Sequence, residues 1–263
     1  MTSILILAAS RDGALDPLAQ AAGVTHKCLV PIAGEALILH PLQAALSMPG
    51  VGQVLISTDD MAGLRTIPAL RRAEDQGRIR LVQSRANLTE SVIAAGLIAR
   101  FPLIITTADN VLLTATALLE FQEQSERSGA SATLAFARRE SVLAAHAEGQ
   151  RRFYRFADGA FSNCNLYWMR RPEALTAARA FSGGGQFAKR PARIIAAFGL
   201  ANLILFRLGR LRVETMMGRL SRLFGLAIRS VEMSDGRLAI DVDNARTHAI
   251  AETLLRQDVH AAA

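Results

Sequence analysis

Four apolar residues in a row, Ile4-Leu5-Ile6-Leu7, followed by Ala8-Ala9-Ser10-Arg11-Asp12-Gly13, set the tightest constraint on how this chain can fold. A strand without polar alternation is covered on both faces, as in a parallel sheet flanked by helices. The pattern returns in Gln53-Val54-Leu55-Ile56-Ser57, ended by Thr58-Asp59-Asp60, in Ile79-Arg80-Leu81-Val82 and in the run from Phe101 to Thr107, with helical stretches between, among them Met61 to Asp75 with an interruption at Pro68. Strand and helix alternate, so the first half reads as α/β. Open α/β sheets bind ligands beyond the carboxyl ends of their strands. The residues after Leu7 and after Thr107 are therefore the first places to look for a site.

Both places carry suitable chemistry. Small residues after Leu7 let a backbone approach phosphates, and Arg11 and Lys27 supply positive charge for a leaving pyrophosphate. Only Lys27 and Lys189 are lysines in a chain whose default cation is arginine, which makes Lys27 more informative. Beyond the Phe101 to Thr107 run stands Asp109, placed to bind magnesium, which takes one or two carboxylates together with substrate phosphates. The alternative is that Asp109 and Asn110 cap the next helix.

The order Leu7-Ala8-Ala9, Arg11, Lys27, Pro31, Gly34 resembles the opening of nucleotidyltransferases of the sugar-phosphate and molybdenum-cofactor type (MobA-like NTP transferases). That resemblance implies a Rossmann-like, mostly parallel mixed sheet flanked by helices, of the nucleotide-diphospho-sugar transferase type. It also implies transfer of a nucleotidyl group from an NTP to a phosphorylated acceptor, with Ala8, Ala9, Ser10 and Gly13 holding the nucleotide. The family has more glycine in this loop than is present here. A second resemblance, to methylerythritol-phosphate cytidylyltransferases, rests on Ser91-Val92 and Gly96-Leu97 at a helix start. There the serine touches the base, which turns the expectation toward CTP; the plainer alternative is a serine in the first turn of a core helix. Near the C-terminus, Leu238 to Val242 reads as a strand that leads to a turn with two acids and a helix, and Asp241-Val242-Asp243 resembles the family's closing acids. Asp241 is the preferred second magnesium ligand, with Asp243 a cap or an alternative.

The acceptor half is less regular. Asn163 and Asn165, on one face of an expected strand from Phe161 to Trp168, could bind a sugar or polyol hydroxyl or satisfy neighbouring backbone. Lys189 could reach an acceptor phosphate. Gly183-Gly184-Gly185 opens an expected helical insert over 183–225 within a single domain spanning 1–263. Its uncharged run from Ile194 to Phe206 is short of the ~20 residues that span a bilayer. It is expected to be a buried helix, or a membrane-surface or homo-oligomer contact through 191–211, which would allow a lipid-headgroup acceptor.

Composition narrows the classes. A hydrophobic share of 51% excludes general disorder, and a net charge of +7 suits acidic partners such as nucleotides and phosphorylated substrates. Arg151-Arg152-Phe153-Tyr154-Arg155-Phe156 mixes basic and aromatic residues without a nucleic-acid module, so no nucleic-acid partner is expected. Two cysteines, no signal-peptide pattern and no export signal give an expected cytoplasmic location, peripheral to the inner membrane face if 191–211 binds lipid. No Gly-x-Ser-x-Gly elbow, His-Glu-x-x-His or standard P-loop is present. The reading is a magnesium-dependent nucleotidyltransferase. Its rivals are a glycosyltransferase on a related sheet and a non-catalytic nucleotide-binding regulator.

Overall fold

The computed structural model describes residues 1–10, 15–181, 205 and 208–262. Arg11, Gly13 and Lys189 lie outside the described residues, as do most of the apolar run and the first part of the expected insert.

The strand at Ile4 is β1 (Thr2–Leu7), and it occupies the middle of the sheet. On one side it pairs in parallel with β4 (Val51–Thr58), which pairs in parallel with β5 (Ile79–Gln83). On the other it pairs in parallel with β6 (Leu103–Thr107). Beyond β6 come β9 (Gly159–Met169), β7 (Ala132–Arg138) and the edge strand β10 (Ile228–Met233). Only β9 and its short partner β8 (Tyr154–Phe156) break the parallel pattern: β9 runs antiparallel to β6, β7 and β8. The result is an eight-stranded, mostly parallel mixed sheet, and the helices cover both faces.

The period of two in β1 explains that arrangement. Ile4 and Ile6 enter one core with residues of α2 (Leu39–Ser47), α6 (Ala115–Arg127) and α9 (Ala245–Ala262). Leu5 enters the other with residues of α5 (Leu88–Gly96) and α8 (Val213–Phe224). All three are fully buried. At about 25 cal/mol per Å² of apolar surface, such side chains stabilise the fold by ~1.5–3 kcal/mol each. A charge at any of them would meet no water and no partner.

Local chemistry sets the boundaries. Pro68 splits the expected helix from Met61 to Asp75 into α3 (Met61–Arg65) and α4 (Pro68–Asp75), because proline disfavours helical backbone in the residue before it. The Pro31 to Gly34 segment becomes a two-residue hairpin between β2 (Pro31–Ile32) and β3 (Glu35–Ala36). Ala33 and Gly34 have φ of 49° and 88°, the all-positive turn that matches strand twist. Asn87 caps α5 by accepting from Glu90 N. The remaining short helices are α1 (Pro17–Ala21) and α7 (Arg139–Ala145).

One expected strand is absent. Leu238 to Val242 forms a 3-10 turn (Gly236–Ala239) and then an extended crossing without a strand partner. Gly236 lies directly on the backbone of Ser141 and Val142, where a Cβ would come 2.2 Å from Ser141 C. Leu238, Ala239, Ile240 and Val242 are all fully buried, so this run is enclosed from several sides rather than alternating between core and solvent.

Candidate active site

The site is built at the carboxyl ends of β1 and β6. Ala108 N donates to Leu7 O, which keeps the two strand ends level. Asn110 is fully buried, and its amide donates to Cys164 O (3.0 Å) and Thr106 Oγ1 (3.3 Å), so the turn after β6 is tied to β9. Asp109 stands on that turn. Its carbonyl accepts from Val242 N at 3.1 Å, and this one bond brings the segment 241–243 alongside.

Lys27 comes from the other side, on a 3-10 turn (Lys27–Leu29) that follows the β1 loop. Its Nζ donates to Asp109 Oδ2 at 2.6 Å and to Asp243 Oδ1 at 3.2 Å. The three residues come from positions 82 and 216 apart in sequence, and only the fold makes them neighbours. Burial works to lower the Lys27 pKa, but the charges of Asp109 and Asp243 outweigh it and raise the value above the usual lysine range. Lys27 is therefore a fixed cation at neutral pH.

Asp241 completes the group. Its Oδ2 accepts from Asn165 Nδ2 at 2.7 Å, while Oδ1 is shut off from solvent and has no hydrogen-bond partner among the described residues. Burial, then the charges of Asp109 and Asp243, push its pKa well above the ordinary aspartate value, against the pull of the Asn165 amide. Three carboxylates thus share one ammonium. Asp243 is 67% exposed, but negative charge on both Asp109 and the buried Asp241 is costly unless a proton or a cation joins them. An orphaned carboxylate oxygen beside a second carboxylate fits a hard divalent cation that takes most of its other ligands from water and phosphate. Among the described residues no group of three or more His, Cys, Asp or Glu side chains is arranged to hold a metal ion.

A β-bulge aims the Asn165 amide. Between Leu134 and Phe136 of β7 the register with β9 slips, and β9 carries the extra length around Cys164 to Leu166. Asn165 has φ 48°, a left-handed conformation that asparagine tolerates better than most residues. Asn163 and Asn165 do share a face: Asn163 Nδ2 donates to Asn165 Oδ1 (3.0 Å) and to Tyr167 OH (2.7 Å). Asn163 Oδ1 in turn accepts from Asn165 N at 3.2 Å. The Tyr167 hydroxyl is pushed up to about 12 by burial, so it stays protonated.

The capping alternatives do not hold for either acid. Thr114 caps α6, with Oγ1 accepting from Ala117 N. Asn244 and Thr247 cap α9 reciprocally: Thr247 N donates to Asn244 Oδ1, and Thr247 Oγ1 accepts from Asp243 N and Asn244 N. Asp109 and Asp243 are both committed to Lys27 instead.

Around the β1 loop, Ala8 is buried while Ala9 and Ser10 are exposed, and Ser10 N donates to Asp59 Oδ1 at 3.1 Å. His26 sits between Asp59 (3.4 Å) and Asp60 (3.2 Å), and Thr25 Oγ1 donates to Asp60. These contacts lash the end of β4 to the loop that delivers Lys27. Thr58-Asp59-Asp60 is thus more than a strand end, and His26 joins it to the site through contacts that no local pattern signals. Ser91 lies buried in the first turn of α5; its hydroxyl donates to Asn87 O and accepts from Arg85 N at 2.8 Å, fastening the loop after β5.

A protein-family model described as cytidylyltransferase matches residues 20–158. The chain belongs to the cytidylyltransferase family. The matched stretch includes Lys27, Ser91 and Asp109 and stops before Asn165 and Asp241. Among solved structures, a hypothetical transferase from Thermus thermophilus aligns with a TM-score of 0.77 at 22% identity, over 94% of this chain and 98% of that one. A CMP:2-keto-3-deoxy-manno-octonic acid synthetase complexed with CTP aligns with a TM-score of 0.56 at 15% identity, over 98% and 100%. A 4-diphosphocytidyl-2C-methyl-D-erythritol synthase from Anaerococcus prevotii gives 0.59 at 9%, over 97% and 96%. No curated protein sequence matches. The nucleotide-diphospho-sugar transferase type of fold is that of these neighbours, and the chain is a nucleotidyltransferase. Among the described residues no helix is long and apolar enough to cross a membrane.

Proposed function

We propose that this protein transfers a cytidylyl group from CTP to a small phosphorylated acceptor and releases pyrophosphate. The observation that carries the reading is the convergence of Lys27, Asp109 and Asp241 at the β1 and β6 strand ends of a cytidylyltransferase-family chain. Asp109 and Asp241 would hold Mg2+, which when bound supplies positive charge to the triphosphate oxygens.

The chain's own residues then have separable tasks. Lys27, held charged, neutralises negative charge that builds on the phosphates as the bond between the α-phosphorus and the bridging oxygen breaks. An acceptor phosphate oxygen forms the new bond to the α-phosphorus, and pyrophosphate leaves with the bridging oxygen. The attacking oxygen of the acceptor phosphate is already anionic, so no side chain has to remove a proton; alignment and charge do the catalysis. Asn165, braced by Asn163, is a positioning residue that fixes Asp241. Ala8, Ala9, Ser10, Gly13 and Arg11 are proposed to line the triphosphate. Ser91, through the Arg85 loop it holds, is proposed to shape the base side, and Lys189 to meet acceptor phosphate.

The test is a screen of four NTPs against phosphorylated sugars, polyols and alcohols with Mg2+, read by pyrophosphate release. CTP should exceed the other NTPs, and Asp109→Ala should abolish the signal. Equal rates with all four NTPs, or release unaffected by Asp109→Ala, would overturn the assignment.

A further inference from the structure

A cavity of about 510 Å³ between α7 and the β8 and β9 hairpin is lined by Arg139, Arg151, Arg152, Arg155 and Phe153, and by no acidic side chain. The whole chain carries a net charge of +7, so four positive charges in one hollow are a large concentration of it. Few of them are neutralised. Arg151 pairs with Glu148 at 2.8 Å, and the Arg139 guanidinium stands 5.9 Å from the centre of the Phe153 ring. Arg152 and Arg155 have no ion pair among the described residues.

The loop that carries these arginines is fixed in place. Gln150 Oε1 accepts from Arg151 N (2.9 Å) and Arg152 N (3.2 Å), and Arg246 donates to the Glu148 carbonyl. Gly149 lies so close to Ile240 that a Cβ would come 2.6 Å from its Cδ1. The loop therefore packs on the segment that carries Asp241 and Asp243. One lining residue stands at the ligand edge of the sheet: Arg138, the last residue of β7, pairs with Phe161, next to Ala160. Ala160 and Asn165 lie five positions apart on the same strand, β9.

We propose that this cavity binds the anionic end of a multiply charged small molecule, and, resting on the cytidylyl-transfer reading, that this molecule is the acceptor. The acceptor would then carry a second phosphate or a carboxylate remote from the phosphate that reacts. A volume of this size suits a sugar-sized ligand. Guanidinium forks bind phosphate or carboxylate through paired hydrogen bonds. A half-open hollow with one aromatic ring does not offer the row of stacking platforms that a nucleic-acid strand needs.

Calorimetry on the full chain without nucleotide tests this, with fructose 1,6-bisphosphate, glycerol 1-phosphate and a short single-stranded RNA as probes. The bisphosphate should bind at least tenfold more tightly than the monophosphate. Arg152→Glu/Arg155→Glu should weaken it by tenfold or more while CTP binding is unchanged; Arg152→Gln/Arg155→Gln should give an intermediate loss. No bisphosphate binding, binding equal in wild type and both variants, or RNA binding tighter than the bisphosphate would overturn the inference. Anion binding by the cavity needs no CTP and can stand where cytidylyl transfer fails; the assignment of the ligand as acceptor falls with that reaction. The reverse result, CTP-dependent pyrophosphate release with an indifferent arginine cavity, rejects this inference alone.

Discussion

Replacing Lys27 by methionine leaves Asp109, Asp241 and Asp243 without their shared cation. The cost follows from the geometry. Lys27 and Asp109 are 2.6 Å apart with side chains 22% and 15% exposed, between the surface and fully buried limits. Exposed pairs contribute roughly 0–1 kcal/mol and removal of one partner of a buried pair costs about 3–5 kcal/mol, so Lys27→Met should lose ~2–3 kcal/mol at pH 8. Asp109→Asn should lose less, because Lys27 keeps Asp243 at 3.2 Å. At pH 5 the Lys27→Met loss should shrink, since carboxyls deprived of their cation take up protons in the folded state and escape the repulsion. The assay is urea unfolding at both pH values for wild type, both single variants and the double variant. A coupling of about 2 kcal/mol is expected. Additive losses within ~0.5 kcal/mol, or equal losses at both pH values, would refute the reasoning.

Asp241→Asn should stabilise the fold above the ordinary carboxylate range and abolish transfer. The sign follows from linkage: the folded pKa is raised, so the folded state holds a proton the unfolded state has lost, and stability falls as pH rises through the folded value. A thermal melt at pH 8 that drops for this variant would contradict that. Asn165→Gly keeps the φ 48° backbone but removes the amide that favours the charged Asp241. Folding should persist, kcat should fall tenfold or more, and the acid limb of the pH profile should move upward; an unmoved limb denies Asn165 its positioning role. Cys28 is pushed up to about 12 by burial and by Asp59, and Cys164 well above its usual range, so both should resist a thiol reagent at pH 8 until urea unfolds the chain. Rapid labelling of either in the native protein would contradict their burial.

The parallel half of the fold was legible because β1, β4 and β6 are buried on both faces, and continuous apolar runs announce that directly. Asp109 was legible for the same reason, as the acid that such a run delivers. The segment around Asp241 was misread as a strand, since Leu238, Ile240 and Val242 alternate like one; nothing local reveals that α7 and β9 enclose it from other sides. The bulge at Asn165 depends on register with β7, which no local pattern encodes. Asp59, Asp60 and His26 escaped notice because their partnership joins residues more than 30 positions apart. Asp243, expected as a cap or an alternative metal ligand, pairs with Lys27, and the capping falls to Asn244 and Thr247, whose role depends on where the helix starts.

Asp109 and Asp241 are proposed to act together on a metal-bound CTP. CTP binding by calorimetry, with and without Mg2+, tests it in wild type and in Asp109→Asn/Asp241→Asn. The account predicts that Mg2+ strengthens wild-type binding by tenfold or more and does nothing for the double variant. CTP affinity that ignores both Mg2+ and the two substitutions would contradict it.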